Sequence, residues 1–259
     1  MTLKLKIDIN GDLGESYGAF KIGNDEKMMS YITSANIACG FHAGDPMTMA
    51  QTLSLAKKHK VAVGAHPGYP DVLGFGRREM QLTTEEIKNY TLYQISALQG
   101  FAKTVGISLQ HVKPHGALYN TAVKDEKVSR GVAEAVKALN LNLIIFAPPK
   151  SVLAIVAVNF GLRVAYEFFA DRAYNADGSL VSRKQSNAII QEPEKVVERA
   201  IKVIREETVL AVNDEVVNLG EVHTICIHGD TPAAVELTEA LKRGLVKAGV
   251  EVKPVGSFI

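Results

Sequence analysis

Seven short apolar runs, separated by longer amphipathic segments, constrain this chain more than any other feature. The runs at 4–10, 34–38, 61–65, 108–113, 142–147, 162–168 and 223–228 have strand length. Most of them stop at a polar or ionisable residue. Lys6–Ile9 runs into Asn10 and Asp12, Val61–Ala65 into His66, and Leu109–Val112 into Lys113 and His115. Val164–Tyr166 leads into Glu167, and Thr224–Ile227 into His228 and Asp230. Several runs lack a clean period of two, as expected of strands covered on both faces. If parallel strands emerge at one edge, their polar ends converge on one crevice, where barrels and open α/β sheets place their chemistry.

The segments between the runs carry helix signals. Asp45-Pro46 sets an N-cap before a proline at the first helical position. Thr83 and Glu86 have capping-box spacing, and Ile87, Tyr90, Ile95, Leu98, Phe101 and Val105 then follow near helical period until Gly106. Glu126–Leu139, Pro149–Phe160, Pro193–Glu206 and Thr231–Ala248 follow the same logic. One stretch breaks the alternation: Val209–Val212, Asn213-Asp214 and Glu215–Leu219 have the pattern of a small inserted β-hairpin. The long polar stretch 170–186 has the length of a functional loop. Right-handed βα connections then give a (β/α) barrel of about seven strands or an open doubly wound sheet. The spread of polar strand ends over nearly the whole chain favours the barrel, with residues 1–259 as a single catalytic domain.

A chain of 259 residues with net charge +1 sets up no field for nucleic acid or a membrane surface. No apolar stretch reaches the length of a membrane span, and the two cysteines, Cys39 and Cys226, lie far apart in sequence, form no framework and suit a reducing cytoplasm or simple burial. The first residues move straight into a strand without a signal-peptide core, so a soluble cytoplasmic protein is expected. Composition leaves the oligomeric state open, a homo-oligomer included.

Candidate chemistry sits at the strand ends. In Asn36–Pro46, Gly40 and Gly44 permit close backbone approach, and His42 and Asp45 can act as acid, base or metal ligand. Asp45 has the competing task of a cap, and Cys39 reads as a small buried residue. His66 is followed by Pro67 and lies between Gly64 and Gly68, an unusual setting for a core filler. Arg77 and Arg78 beside Gly74 and Gly76 suit a carboxylate or phosphate, or form a solvated basic turn. Strand alternation puts His111, Lys113 and His115 on one face, inward in a barrel, where a buried lysine needs a partner or an anion. Glu167 after an apolar run is costly unless used or paired, and Arg172 is one available partner. The His228–Pro232 turn opens a helix whose amides could hold phosphate. His59 and His223 read as structural. No phosphate-binding P-loop, dinucleotide fingerprint, nucleophile elbow or local zinc motif is present. Asp12, His42, His66 and His115 could still assemble a metal site from separate strands.

Segments 8–15, 34–46, 63–71, 74–78, 111–120, 167–174, 177–183 and 225–232, in this order and at this length, closely resemble the LamB/YcsF family. One departure is visible: family members often carry cysteine where this chain has Gly11, so no essential chemistry is assigned there. The resemblance implies a seven-stranded barrel-like fold similar to that of sugar deacetylases. It further implies the A subunit of a prokaryotic 5-oxoprolinase, which opens 5-oxoproline to glutamate with ATP and works with subunits B and C.

On that basis the expected catalytic residues are Asp12, His66, Lys113, His115 and Glu167. Asp12, Glu167 or His115 would accept a proton, and Arg77 or Lys113 would bind the substrate carboxylate or the transferring phosphate. Asn10, Asn36, His42 and Arg172 are further substrate or phosphate contacts, together with His228, Asp230 and Thr231. ATP should bring Mg2+, with Asp12 and Asp230 as candidate ligands, and a separately bound divalent metal is compatible with the His/Asp set. Two alternatives remain open: a stand-alone metal-dependent amidase or deacetylase, and a non-catalytic subunit that presents a small acid to its partners.

Overall fold

The computed structural model describes residues 5–139, 142–227 and 233–259. Seven parallel strands close on themselves: β1 (Lys6–Leu13), β2 (Ser34–Ala38), β3 (Ala62–His66), β4 (Leu109–Val112), β5 (Ile144–Ala147), β6 (Arg163–Phe169) and β9 (Thr224–Ile227), with β9 pairing back onto β1. The barrel anticipated from the polar strand ends is therefore the observed fold. Between β6 and β9 the chain forms the antiparallel hairpin β7 (Thr208–Leu210) and β8 (Val216–Asn218). Asp214 takes the left-handed conformation its turn requires (φ 63°).

The helices surround the barrel. α2 (Pro46–His59) starts on Asp45, whose Oδ1 accepts from the amides of Met47 and Thr48, each at 2.9 Å. Its Oδ2 accepts from Gly18 N at 2.8 Å, so Asp45 serves as a cap that also ties down the 17–20 turn. α3 (Thr84–Thr104) has the complete Thr83/Glu86 capping box. α5 (Glu126–Leu139), α6 (Val152–Asn159), α7 (Pro193–Glu206) and α8 (Ala234–Lys247) match the amphipathic segments. α6 begins later than Pro149 because Ser151, not the proline, supplies the cap to Ala154 N. Two short helices, α1 (Asp25–Met28) and α4 (Gly116–Ala122), have too few residues to show a period in sequence. No helix among the described residues is long and apolar enough to cross a membrane.

Outward strand residues such as Ile7, Ile9, Ile37, Val63, Ile145, Phe168 and Ile225 pack with Leu53, Ile95, Leu98, Leu153, Leu237 and Leu241 of the helices. Each such fully buried side chain contributes on the order of 2 kcal/mol. Gly11 belongs to this layer: a β-carbon there would meet Met28 and Ile32, on the side away from the lumen.

The lumen contrasts with that layer, because much of it is polar. Asp8, Asn10 and Asp12 of β1, Ser34 and Asn36 of β2, His111 of β4, Glu167 of β6 and Thr224 of β9 are all buried. The lower lumen is apolar and is filled by Ile144, Phe146 and Ala165 with Val255, Phe258 and Ile259. The short strand β10 (Glu251–Val252) pairs with Lys6 and Ile7 and brings these C-terminal residues under the barrel. A two-residue strand carries no legible sequence pattern.

Candidate functional site

The mouth of the barrel opens into a cavity of about 580 Å³ lined by Asp12, Glu15, His66, Arg77, Lys113 and His115 among others. Tyr119, Phe169, Arg172 and residues 178–184 form its opposite wall. Asp12, His66 and Lys113 arrive from β1, β3 and the end of β4, as parallel strands require.

Lys113 anchors the floor. Its Nζ lies 3.1 Å from Asp12 Oδ1, 3.0 Å from Glu167 Oε1, 3.2 Å from Asn10 Oδ1 and 2.9 Å from Cys226 Sγ. Burial opposes its charge, but the Asp12 and Glu167 carboxylates outweigh burial and lift it well above the ordinary lysine range. Burial likewise pushes the Cys226 and Cys39 thiols up, Cys39 to about 12, so both stay protonated. Glu167 accepts from Asn10 Nδ2 at 2.9 Å and from Tyr119 Oη at 2.6 Å. Its partners are thus Lys113, Asn10 and Tyr119, while the Arg172 guanidinium donates to the carbonyls of Val181 (2.6 Å) and Ala188 (3.3 Å) and ties down the polar loop.

Asn36 Nδ2 donates to Asn10 Oδ1 and Asp12 Oδ1, each at 2.8 Å, and its Oδ1 pairs with His111 Nε2 at 2.7 Å. Burial, reinforced by Lys113, lowers the His111 pKa to about 3, so this ring is a neutral donor within the lumen. It fits because position 64 is glycine: a β-carbon there would stand 2.1 Å from the His111 ring. Asn10, Asn36, His42 and Glu167 lie behind the cavity wall, whereas Asp12, His66, Arg77, Lys113, His115 and Arg172 line it. His228, Asp230 and Thr231 lie outside the described residues. The two arginines of the Gly74–Arg78 turn divide: Arg78 Nε donates to Asp71 Oδ1 at 2.9 Å, and Arg77 faces the cavity over the Phe75 ring.

Beside Lys113 stands a histidine cluster. His66 Nδ1 bonds the Lys113 carbonyl at 2.7 Å, and His115 Nε2 bonds the Phe75 carbonyl at 2.9 Å. The His42 ring stacks on His115 with centroids 3.7 Å apart. Burial holds His42 and His115 well below the usual histidine range, with neighbouring imidazoles adding to the effect. Glu15, His42, His66 and His115 each place one ligand atom within 4.8 Å of the others, a cluster compatible with a divalent cation. Sequence reasoning singles out neither Glu15 nor Tyr119. Glu15 follows the end of β1 and Tyr119 sits in the short α4, where no strand-end pattern marks them.

A closed seven-stranded parallel barrel thus carries histidines, carboxylates and a buried lysine at its mouth, the end at which (β/α) barrels place their chemistry. The chain belongs to the LamB/YcsF family, whose model matches residues 7–259. It is 53% identical over 255 residues to the A subunit of 5-oxoprolinase from Pyrococcus abyssi, covering 98% of this chain and 100% of that one. The crystal structure of a lactam utilization protein from Thermus thermophilus superimposes with a TM-score of 0.91 at 46% identity, over 96% of this chain and 99% of that one. The catalytic domain of a peptidoglycan N-acetylglucosamine deacetylase from Eubacterium rectale shares the fold, with a TM-score of 0.50 at 12% identity over 98% of this chain and 90% of that one. The family model and the 5-oxoprolinase A subunit both match nearly the full length of the chain.

Proposed function

We propose that this chain is the subunit of a cytoplasmic 5-oxoprolinase in which the lactam of 5-oxo-L-proline is opened to L-glutamate, with ATP converted to ADP and phosphate. The single observation that carries the proposal is the match, over nearly the full length, to the A subunit of a 5-oxoprolinase. The site supports it: a lysine held charged between two carboxylates faces a cavity that can take a small acid. Residues 1–259 act as one catalytic domain, and subunits B and C complete the enzyme.

A lactam is a stable amide, and phosphorylation of its carbonyl oxygen makes the ring carbon electrophilic. Lys113 would stabilise negative charge on that oxygen or on the transferring phosphate. Asp12 turns Oδ1 toward Lys113 and Oδ2 toward His66 at 3.5 Å, so it would take the proton from attacking water. Asp12 would then return that proton to the lactam nitrogen as the C–N bond breaks, with His66 beside it at 3.5 Å. Arg77 would hold the substrate carboxylate. Glu167, Asn10 and Asn36 would act by fixing Lys113 and Asp12 rather than by touching the reacting bond. The ATP complex brings Mg2+, for which Asp12 and Asp230 are the candidate ligands, and the 228–231 segment is the candidate phosphate cradle.

The test mixes this chain with its partner subunits, 5-oxoproline, ATP and Mg2+, and measures glutamate and ADP together. Glutamate formed only when every component is present is the expected outcome. Glutamate formed by this chain alone without ATP would instead support a stand-alone metal-dependent amidase, a second reading that the Glu15 and histidine cluster favours. A folded, complete mixture that forms no glutamate would overturn the proposal.

A further inference from the structure

We propose that Glu15, His42, His66 and His115 form a binding site for one transition-metal cation of borderline softness, such as Zn2+ or Co2+. The proposal does not depend on the reaction assigned above. Two tautomers are fixed by their partners. A carbonyl oxygen can only accept, so His66 must carry its proton on Nδ1 toward Lys113 O, and His115 must carry its own on Nε2 toward Phe75 O. In neutral rings this leaves His66 Nε2 and His115 Nδ1 both bare, and those two atoms face each other at 3.0 Å. Two lone pairs at that separation repel unless a cation lies between or beside them.

A shared proton would satisfy two atoms, but here four converge. Glu15 Oε1 lies 3.4 Å from His115 Nδ1 and 3.3 Å from His42 Nε2. Bonds of about 2.1 Å to a tetrahedral ion place its ligands roughly 3.4 Å apart; three of the six edges, at 3.0, 3.3 and 3.4 Å, are near that spacing, and all four atoms lie within 4.8 Å of one another. Three imidazoles and one carboxylate suit Zn2+ or Co2+ better than Mg2+, which prefers oxygen ligands. Lys113 O and Phe75 O are the outer partners that orient ligating histidines in built metal sites.

The surrounding backbone is shaped to hold the rings. A β-carbon at Gly68 would stand 2.7 Å from His42 Nδ1, and one at Gly76 would stand 2.6 Å from His42 Cβ and 2.8 Å from His115 Cδ2. Both loops therefore press against the ligands and limit their motion. Glu15, His66 and His115 also line the cavity, so a held ion would lie at the cavity wall and take a small molecule's oxygen as a fifth ligand. There it would polarise a carbonyl or acidify bound water.

The experiment strips the full-length chain with a chelator and titrates it with Co2+, followed by visible absorption, and with Zn2+, followed by calorimetry. One equivalent per chain is expected, with the d–d bands of a nitrogen- and oxygen-ligated Co2+ ion. His66→Ala and His115→Ala should each weaken binding by about 100-fold or more, and His223→Ala, remote from the cluster, should leave it unchanged. The Co2+ spectrum of the wild type keeps the test valid even where a variant fails to fold. Folded wild type that takes up neither metal would leave a shared proton between His66 and His115 and overturn the proposal, as would unchanged binding in folded His66→Ala and His115→Ala. Neither readout uses ATP, substrate or partner subunits, so this proposal and the 5-oxoprolinase assignment fail separately.

Discussion

Lys113 Nζ lies 3.0 Å from Glu167 Oε1, and the pair is buried at the floor of the cavity, with the two side chains 3% and 0% exposed. Breaking a buried pair leaves a charge without compensation, which typically costs about 3–5 kcal/mol. Lys113→Met should lower unfolding free energy by that order, because Asp12 and Glu167 lose the same ammonium. Lys113→Met combined with Glu167→Gln should recover part of the loss. Urea unfolding of both variants checks this, and a double variant no more stable than the single one would contradict the pairing.

Tyr119 donates to Glu167 Oε2 at 2.6 Å, and both residues are buried. Tyr119→Phe removes the hydroxyl and leaves a buried acceptor short of a donor, at a cost of about 1–3 kcal/mol. Burial and the neighbouring Glu167 hold the Tyr119 pKa well above its usual range. Its phenol should accordingly show no ultraviolet ionisation step before the fold is lost in alkaline titration.

Asp8 lies at the lower end of the polar lumen, and burial raises its pKa to about 6 against hydrogen bonds from Thr224, Thr33 and Ser34 that oppose the rise. The folded chain keeps that proton up to about pH 6, whereas the unfolded chain releases it near 3.8. Between those values the folded state binds more protons, so stability falls as pH rises. The shift corresponds to roughly 3 kcal/mol once pH exceeds 6. Asp8→Asn should be more stable than wild type at pH 8 by up to that amount, with the advantage shrinking toward pH 4. Denaturant melts at the two pH values test it, and a difference independent of pH would count against the buried carboxyl.

Gly76 has φ +63°, and its missing β-carbon leaves room for the His42 β-carbon and the His115 ring. Gly161 has φ +73° with nothing within 4 Å of a built β-carbon. Gly161→Ala should therefore cost only the left-handed strain, about 1–2 kcal/mol. Gly76→Ala should cost more and should also lower turnover of the assembled enzyme, because His42 and His115 must move. Thermal melts and turnover of the two variants side by side separate strain from collision.

Asp45 caps α2 and braces Gly18 without lining the cavity. Asp45→Ala should cost about 1–2 kcal/mol of stability and leave kcat per folded molecule unchanged. A selective fall in kcat would give Asp45 a role beyond the cap.

Much of the fold was legible because local rules acted together. The Thr83/Glu86 box, the Asp45-Pro46 start and the turn at Asn213-Asp214 each depend on residues a few positions apart, and each forms as its spacing dictates. The apolar runs marked all seven barrel strands to within a few residues, apart from β1, which continues to Leu13. Its continuation was hidden because Asn10 and Asp12 look like a turn until a polar lumen exists to receive them. α4 and β10 were too short to carry a period.

The division of labour within the site followed the same boundary. The chain alone determined that Asp12, His66, Lys113 and His115 stand at strand ends, because strand alternation and terminal polarity are local properties. Only closure of the barrel decided that Lys113 reaches Glu167 and Cys226, which lie 54 and 113 residues away in sequence. Closure likewise placed Glu15, rather than Asp12, in the histidine cluster, and turned Arg172 toward the carbonyls of its own loop. Residue type and spacing specify which groups can do chemistry. Which of them meet is a matter of ångströms, fixed by register across seven strands, and no local segment of the chain contains that register.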